Sequence, residues 1–315
     1  MSAPTAQPIA RTDFYREIRR NKLRTAAILG GFVLLIVLVG AAIDLLIGSG
    51  SGVLIVIAFV IAVGMAFVSY YYSDRVALAA ARAKPADGPE YARYHNLVEG
   101  LCIAAGLPKP KLYVVDDPAP NAFATGRNPK HSSLAVTSGL LQMMNRVELE
   151  GVIAHELSHV KNYDILAGTV AVVAVGMIAL IADLGLRFMW FGGRSDRRDN
   201  NDAGPLGLVL VIIAFAMLVL APLAAQVMQF AMSRKRELLA DVTGVQLTRY
   251  PPGLCSALKK LRGDQSVVHH ATRATAQLWI ESPLDRDQGK KGSWLNRLFD
   301  THPPLDERIS VLESM

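Results

Sequence analysis

The chain has 315 residues, of which 51% are apolar and 19% charged, with a formal net charge of +6. Its length allows one large domain or two small ones, and the apolar excess excludes an ordinary soluble protein. Its 2 cysteines, Cys102 and Cys255, lack CxxC spacing, which leaves reduced structural thiols rather than a disulfide framework or a thiolate metal site.

The apolar excess falls into blocks. A basic lead, residues 1–24, carries Arg11, Arg16, Arg19, Arg20, Lys22 and Arg24. The first block then runs from Thr25 to Ile47 with Asp44 as its only charge, and the second from Val53 to Tyr72 with none. Each reaches the roughly 20 residues a helix needs to cross about 30 Å of hydrocarbon. The first exceeds the roughly 7–15 apolar residues of a cleaved signal and lacks a small-residue cleavage site, so it reads as an uncleaved anchor. GSGSG (Gly48 to Gly52) makes a tight turn between the two.

After the second block, helix continues through Ala79–Ala83 until Lys84-Pro85 breaks it. Tyr91 to Ala105 has the pattern of an amphipathic helix ended by Gly106 and Pro108. KLYVV, AFAT and SSLAVT, near residues 111, 122 and 132, are short β-type runs and predict a sheet of about three strands. Asn145 and Glu148 have capping-box spacing. The helix they start should carry HELSH and run to about Asp164. A third apolar block spans Ile165 to Phe191, with Asp183 and Arg187, and a fourth spans Leu206 to Met232 without charge.

Basic residues set the orientation. Those of the N-terminal lead, Arg75, Arg82 and Lys84 after the second block, and Arg234, Lys235 and Arg236 after the fourth would all be cytoplasmic. The loop Gly192 to Pro205 dissents, with Arg194, Arg197 and Arg198 on the outer side. Two hairpins still place both soluble regions on one face. The net charge is therefore topological and gives no case for a nucleic-acid partner.

GVIAHELSHVKNYD, Gly151 to Asp164, carries the chemistry. Residues four apart share a helix face, so His155 and His159 can aim ring nitrogens at one point, and Glu156 can serve an attacking water without ligating. Catalytic zinc takes three N or O ligands and keeps one position open. Glu237, just past the fourth block as His159 is just before the third, would complete the set. Asp241, one turn on, could accept a hydrogen bond from the far nitrogen of a ligating His. Taken singly, Glu237 reads equally as a solvated charge beside Arg234 or Lys235, and Asp241 as a surface partner. Asp44 and Asp183 sit near the outer ends of their blocks, where snorkelling explains them. The adjacent His269-His270 pair reads as surface, and His95 and His131 lack partner spacing.

Four motifs in order, PNAFATGRNP (Pro120 to Pro129), AHELSHVKNYD, SRKRELLAD (Ser233 to Asp241) and THPPLDERI (Thr301 to Ile309), resemble the HtpX-type membrane zinc endopeptidases. That family shares a superfamily with the CAAX prenyl endopeptidases. The resemblance covers roughly residues 85 to 312. It implies a multi-pass protein of the cytoplasmic membrane, with one Zn2+ per chain and a cytoplasmic active site. Its expected substrates are misfolded or damaged membrane proteins, cleaved by metal-assisted hydrolysis with Glu156 as general base and then acid. It also implies that Asn121 and its edge strand hold substrate backbone, and that His302 acts near the substrate or oxyanion.

The expected fold is therefore a mainly α membrane protein with two transmembrane helical hairpins, 25–72 and 165–232. A cytoplasmic α+β zincin-like metalloprotease domain would be split between 73–164, with the HExxH helix, and 233–315, with the third ligand. Residues 1–24 would form a basic cytoplasmic tail. The segment Gly263 to Leu298 matches no pattern, and nothing fixes the oligomeric state. A CAAX prenyl endopeptidase is the nearest rival reading. A non-catalytic scaffold is further off, since Glu156 and every ligand candidate are present. HELSH adjoins Lys161, Asn162 and Asp164, which sets it at the membrane surface rather than at mid-bilayer depth.

Overall fold

Two long apolar helices lead the chain. The computed structural model describes residues 11–46, 50–174, 176, 234–264, 266–269, 278–281 and 304–315. Most of the third apolar block, the loop 192–205, the whole fourth block and His302 lie outside the described residues.

Helix α1 (Arg11–Leu46) and helix α2 (Val53–Ala80) pack against one another, and both are long and apolar enough to cross a membrane. Leu34, Val56, Phe59, Val60 and Phe67 are exposed on them, as expected where lipid rather than protein covers the surface. The basic lead is not a separate tail in the described part, because Arg11–Arg24 forms the first turns of α1. Gly50 and Gly52 take φ of 53° and 72° in the turn, a region that favours glycine. Asp44 is buried and accepts a hydrogen bond from the Gly52 N–H at 3.2 Å, so its carboxylate caps the turn rather than snorkelling outward.

Past α2, Arg82 (φ 52°) reverses the chain into a two-residue strand, β1 (Lys84–Pro85). Helix α3 (Ala92–Ala105) ends at Gly106, φ 65°, where the sequence predicted its stop. The three predicted strands form as β2 (Lys111–Val115), β3 (Ala122–Asn128) and β4 (His131–Thr137). With β1 they make one sheet in the order β1-β2-β4-β3, in which β2 runs parallel to β4 and the other pairs are antiparallel. Strand β3 is therefore an edge.

Short helix α4 (Ser138–Met143) leads to α5 (Arg146–Lys161). Both capping-box bonds form, from Glu148 N to Asn145 Oδ1 at 3.0 Å and from Asn145 N to Glu148 Oε2 at 2.9 Å. Helix α5 is buried along most of its length, between β3 on one side and α7 (Arg234–Thr248) and α8 (Pro251–Gly263) on the other. Leu149, Val152, Ile153 and Leu157 are fully buried, and each such side chain contributes roughly 1.5–3 kcal/mol. The site helix is thus fixed by packing on both flanks. It does not run on to Asp164. It stops at Lys161, Tyr163 adopts φ 61°, and a new helix, α6, starts at Asp164 and continues to Ala174. Helix α9 (Leu305–Glu313) closes the fold against α8 and α7.

Candidate metal centre

His155 and His159 project from one face of α5, as i,i+4 spacing requires. Their rings meet edge to face, 4.8 Å between centroids, with the two Nε2 atoms 3.2 Å apart. Helix α7 crosses α5 at close range because Gly244 faces His155. A Cβ at Gly244 would stand 3.0 Å from the His155 backbone nitrogen. Glu237, Asp241 and Gly244 fall on one face of α7 at i, i+4 and i+7. That crossing brings Glu237 Oε2 to 3.7 Å from His155 Nε2, and Oε1 to 3.5 Å from His159 Nε2. Ligand atoms of these three residues lie within 4.8 Å of one another.

The outer nitrogens test whether this set fits a metal. His155 Nδ1 lies 2.8 Å from Asp241 Oδ1, and His159 Nδ1 lies 3.1 Å from Asp164 Oδ2. Carboxylates only accept, so each Nδ1 carries its proton and the two Nε2 atoms are left facing one another. Two lone pairs there would repel unless a cation, either a proton on one ring or a metal ion, sits between them. Two nitrogens bound at about 2.0–2.1 Å on a tetrahedral ion stand about 3.3 Å apart, close to the separation found here. The residues fit a metal.

Electrostatics agree. Burial would lower the pKa of His159, but the carboxylates of Glu237 and Asp164 outweigh it and raise it to about 9. The pocket draws positive charge. Burial pushes the Glu156 carboxyl up, against the pull of His155 and His159, which suits a group that must take and return a proton. Burial likewise works to raise Asp241, but Arg308 and His155 overcome it and hold the carboxyl below its usual range.

Four supporting residues escaped the sequence reading in this role. Arg308, fully buried, grips Asp241 with both arms of its fork, Nε to Oδ2 at 2.8 Å and Nη2 to Oδ1 at 2.7 Å. Asp164 orients His159. Asn21, buried on α1, donates through Nδ2 to Asp164 Oδ1 at 2.7 Å and to the Asn162 carbonyl at 3.0 Å. Arg236 adds a longer contact to Asp164, 3.3 Å. Asp164 and Arg308 both stood inside quoted motifs, as polar residues with no assigned partner, and that was the available signal. Asn21 gave none.

A cavity of about 40 Å³ adjoins the histidines and Glu156, with Ala124 of β3 on one wall and Leu278, Trp279 and Ile280 over it. Ile280 N donates to the Ala122 carbonyl at 2.9 Å, and Trp279 stacks edge-on against Phe123, 4.7 Å between centroids. Asn121 is buried at the start of β3 and donates to the Glu281 carbonyl at 3.0 Å, so its amide secures this segment of the same chain. His269 is tied to Asp117 through its backbone N–H at 2.8 Å, away from the metal candidates.

The profile of peptidase family M48 matches residues 90–315. The chain is 43% identical over 306 residues to a protein of Lactobacillus helveticus named Protease HtpX homolog, covering 96% of this chain and 99% of that one. It is 46% identical over 250 residues to the protein of that name from Caldanaerobacter subterraneus, at 79% and 80% coverage. With the one from Streptococcus uberis it shares 40% identity over 301 residues, at 96% and 99% coverage. The crystal structure of S. mikatae Ste24p aligns with 96% of this chain and 67% of its own, at 17% identity and a TM-score of 0.47.

Proposed function

The chain belongs to peptidase family M48 and is a membrane-bound metalloprotease, and from that premise we propose a zinc endopeptidase that cleaves misfolded or damaged membrane proteins at the bilayer surface. The observation that carries the reading is the pair of Nε2 atoms 3.2 Å apart, each ring held through Nδ1 by its own carboxylate, with Glu237 beside both. Two imidazoles and one carboxylate, largely buried, suit zinc among the divalent ions.

When bound, the ion supplies Lewis acidity toward the scissile carbonyl and the attacking water. The remaining work falls to side chains. His155, His159 and Glu237 would hold the ion. Asp241 and Asp164 keep both rings in the Nδ1–H tautomer, and Arg308 keeps Asp241 ionised. Glu156 takes a proton from the attacking water and returns it to the leaving amine. An extended substrate backbone would add to the edge of β3 beside Ala124. A cavity of about 40 Å³ holds only a few waters, so an entering peptide displaces Leu278–Ile280. Asn121 and His302 are proposed near the substrate on the family resemblance alone, and the Asn121 amide, bonded to the Glu281 carbonyl, would meet substrate only once that segment is displaced.

The division into two hairpins, 25–72 and 165–232, with a split cytoplasmic protease domain is proposed on the pattern of basic residues. Helix α6 begins 5 residues after His159, as the hydrogen-bonded pair of His159 and Asp164 records, and is apolar beyond. The catalytic centre therefore lies within reach of substrates emerging from the bilayer.

Glu156→Gln separates enzyme from scaffold. It should retain metal and melting temperature while cleavage of a membrane substrate falls by at least about 10³-fold, because one group serves as both base and acid. Cleavage at the parent rate would remove HELSH from the mechanism.

A further inference from the structure

A second cavity, of about 740 Å³, opens where the protease domain meets the ends of the apolar helices. Its polar wall carries Lys22 of α1 together with Arg127 and Lys130 from the β3–β4 turn, and no acidic residue lines it. Among the described residues none of these three cations forms an ion pair with a carboxylate. Lys22 lies over the Tyr163 ring at 4.9 Å, and Arg127 over the Tyr71 ring at 5.0 Å. Three like charges around one space repel, and that arrangement is relieved when an anion enters.

Depth identifies the anion. Lys22 stands just before the apolar run of α1, Tyr70 near the end of that of α2, and Tyr163 just before the third block. Three independent segments thus place one wall of the cavity in the layer where membrane helices leave the hydrocarbon, the level of lipid headgroups and interfacial tyrosines. Below the cations the lining turns apolar, with Ala26 and Leu29 of α1 and Leu166 of α6. Polar charge above and aliphatic surface below match a phospholipid rather than a free ion.

We propose that this cavity binds an anionic phospholipid, its phosphate among Lys22, Arg127 and Lys130 and its acyl chains along Ala26, Leu29 and Leu166. The site is separate from the metal centre and needs no catalysis to be tested. Basic residues near a membrane surface attract anionic lipid additively, so three of them should favour an anionic over a zwitterionic headgroup by at least about tenfold.

The test is native mass spectrometry of the delipidated full-length protein, titrated with phosphatidylglycerol or phosphatidylcholine. The parent should retain one phosphatidylglycerol per chain at concentrations where phosphatidylcholine is largely lost. The triple variant K22Q/R127Q/K130Q should lose that preference while keeping metal content and melting temperature. K130Q alone, at an exposed position, should show a partial loss and guards against a folding defect in the triple. Millimolar inorganic phosphate should not displace the lipid. Equal retention of both lipids by the parent, or an intact preference in a folded triple variant, would overturn the proposal. Full displacement by inorganic phosphate would overturn it in favour of a free-phosphate site.

Discussion

Each histidine of the centre owes its tautomer to one carboxylate, but the two carboxylates are not equivalent. Asp164 answers His159 and meets the buried Arg236 through one contact of 3.3 Å, with Asn21 beside it, whereas Asp241 answers His155 and holds the buried Arg308 through both arms of its fork at 2.7 and 2.8 Å. Asp164→Asn should weaken metal affinity by roughly 10–100-fold in a chelator competition, with the smaller structural loss because it gives up a single contact to Arg236. Asp241→Asn should do the same and in addition break the two-armed pair with Arg308, leaving that buried guanidinium only the Glu237 carboxylate at 3.9 Å among the described residues, a loss of up to about 3–5 kcal/mol visible as a lower melting temperature. Equal melting temperatures for the two variants would show that the Arg308–Asp241 pair carries no such weight. The protonation of His159 gives a second test, on the metal-free protein. Its folded pKa of about 9 lies above its unfolded value of 6.5, so the stability it contributes is complete below pH 6.5 and is lost as pH rises through 9. Chelated protein should melt at progressively lower temperature across that window, and saturating metal should flatten the dependence. A melting temperature that stays level or rises from pH 6.5 to 9 without metal would mean that His159 is not held protonated.

At the level of elements, what could be read and what could not separate by physical cause. The capping box at Asn145, the stop at Gly106 and the three strands were legible because each rests on local chemistry. The sheet order was not, since the parallel pairing of β2 with β4 depends on contacts between segments that share no local signal. The end of α5 was misplaced for a related reason. No Gly or Pro marks the break at Tyr163, yet that break swings Asp164 back to His159, which a continuous helix would not allow at a spacing of five residues. Glu237 was proposed from its place just past the fourth apolar block, and Asp241 from its position one turn on along the same helix face. Arg308, distant in sequence from the Asp241 it grips, was not. The crossing of α7 over α5 rests on Gly244, and the substitution Gly244→Val tests it. A Cβ there meets backbone at 3.0 Å, and a branched side chain would force the helices apart and carry Glu237 away from both histidines. Metal content and cleavage should fall together. Gly100→Ala, where an added Cβ meets nothing within 4 Å, should leave both unchanged and raise stability by up to about 1 kcal/mol. A Gly244→Val protein with full metal would show that the close approach is incidental.

Over the whole molecule, the membrane hairpin and the protease domain are joined through polar bonds as well as sequence. Asn21 reaches from α1 to Asp164, so the helix that anchors the chain also braces the residue that orients His159. This tie requires the basic end of α1 and the proposed metal centre to lie on one side of the bilayer. With α1 and α2 both crossing about 30 Å of hydrocarbon, as proposed above, the turn between them would lie on the opposite side. Cysteine labelling in intact and permeabilised cells can read this directly. The two native thiols give a low background, since both are buried and burial pushes Cys102 up to about 11. In a chain with both replaced by serine, Ser51→Cys in the turn should label from outside. Ser314→Cys, past the end of α9, should label only after permeabilisation. Ser195→Cys probes the loop whose three arginines argue against the assignment, and under two complete hairpins it should label from outside with Ser51→Cys. If it labels only from within, the third and fourth apolar blocks do not both cross, and the protease domain is anchored by the first hairpin alone. The one result the Asn21–Asp164 bond forbids is labelling of Ser51→Cys and Ser314→Cys from the same side.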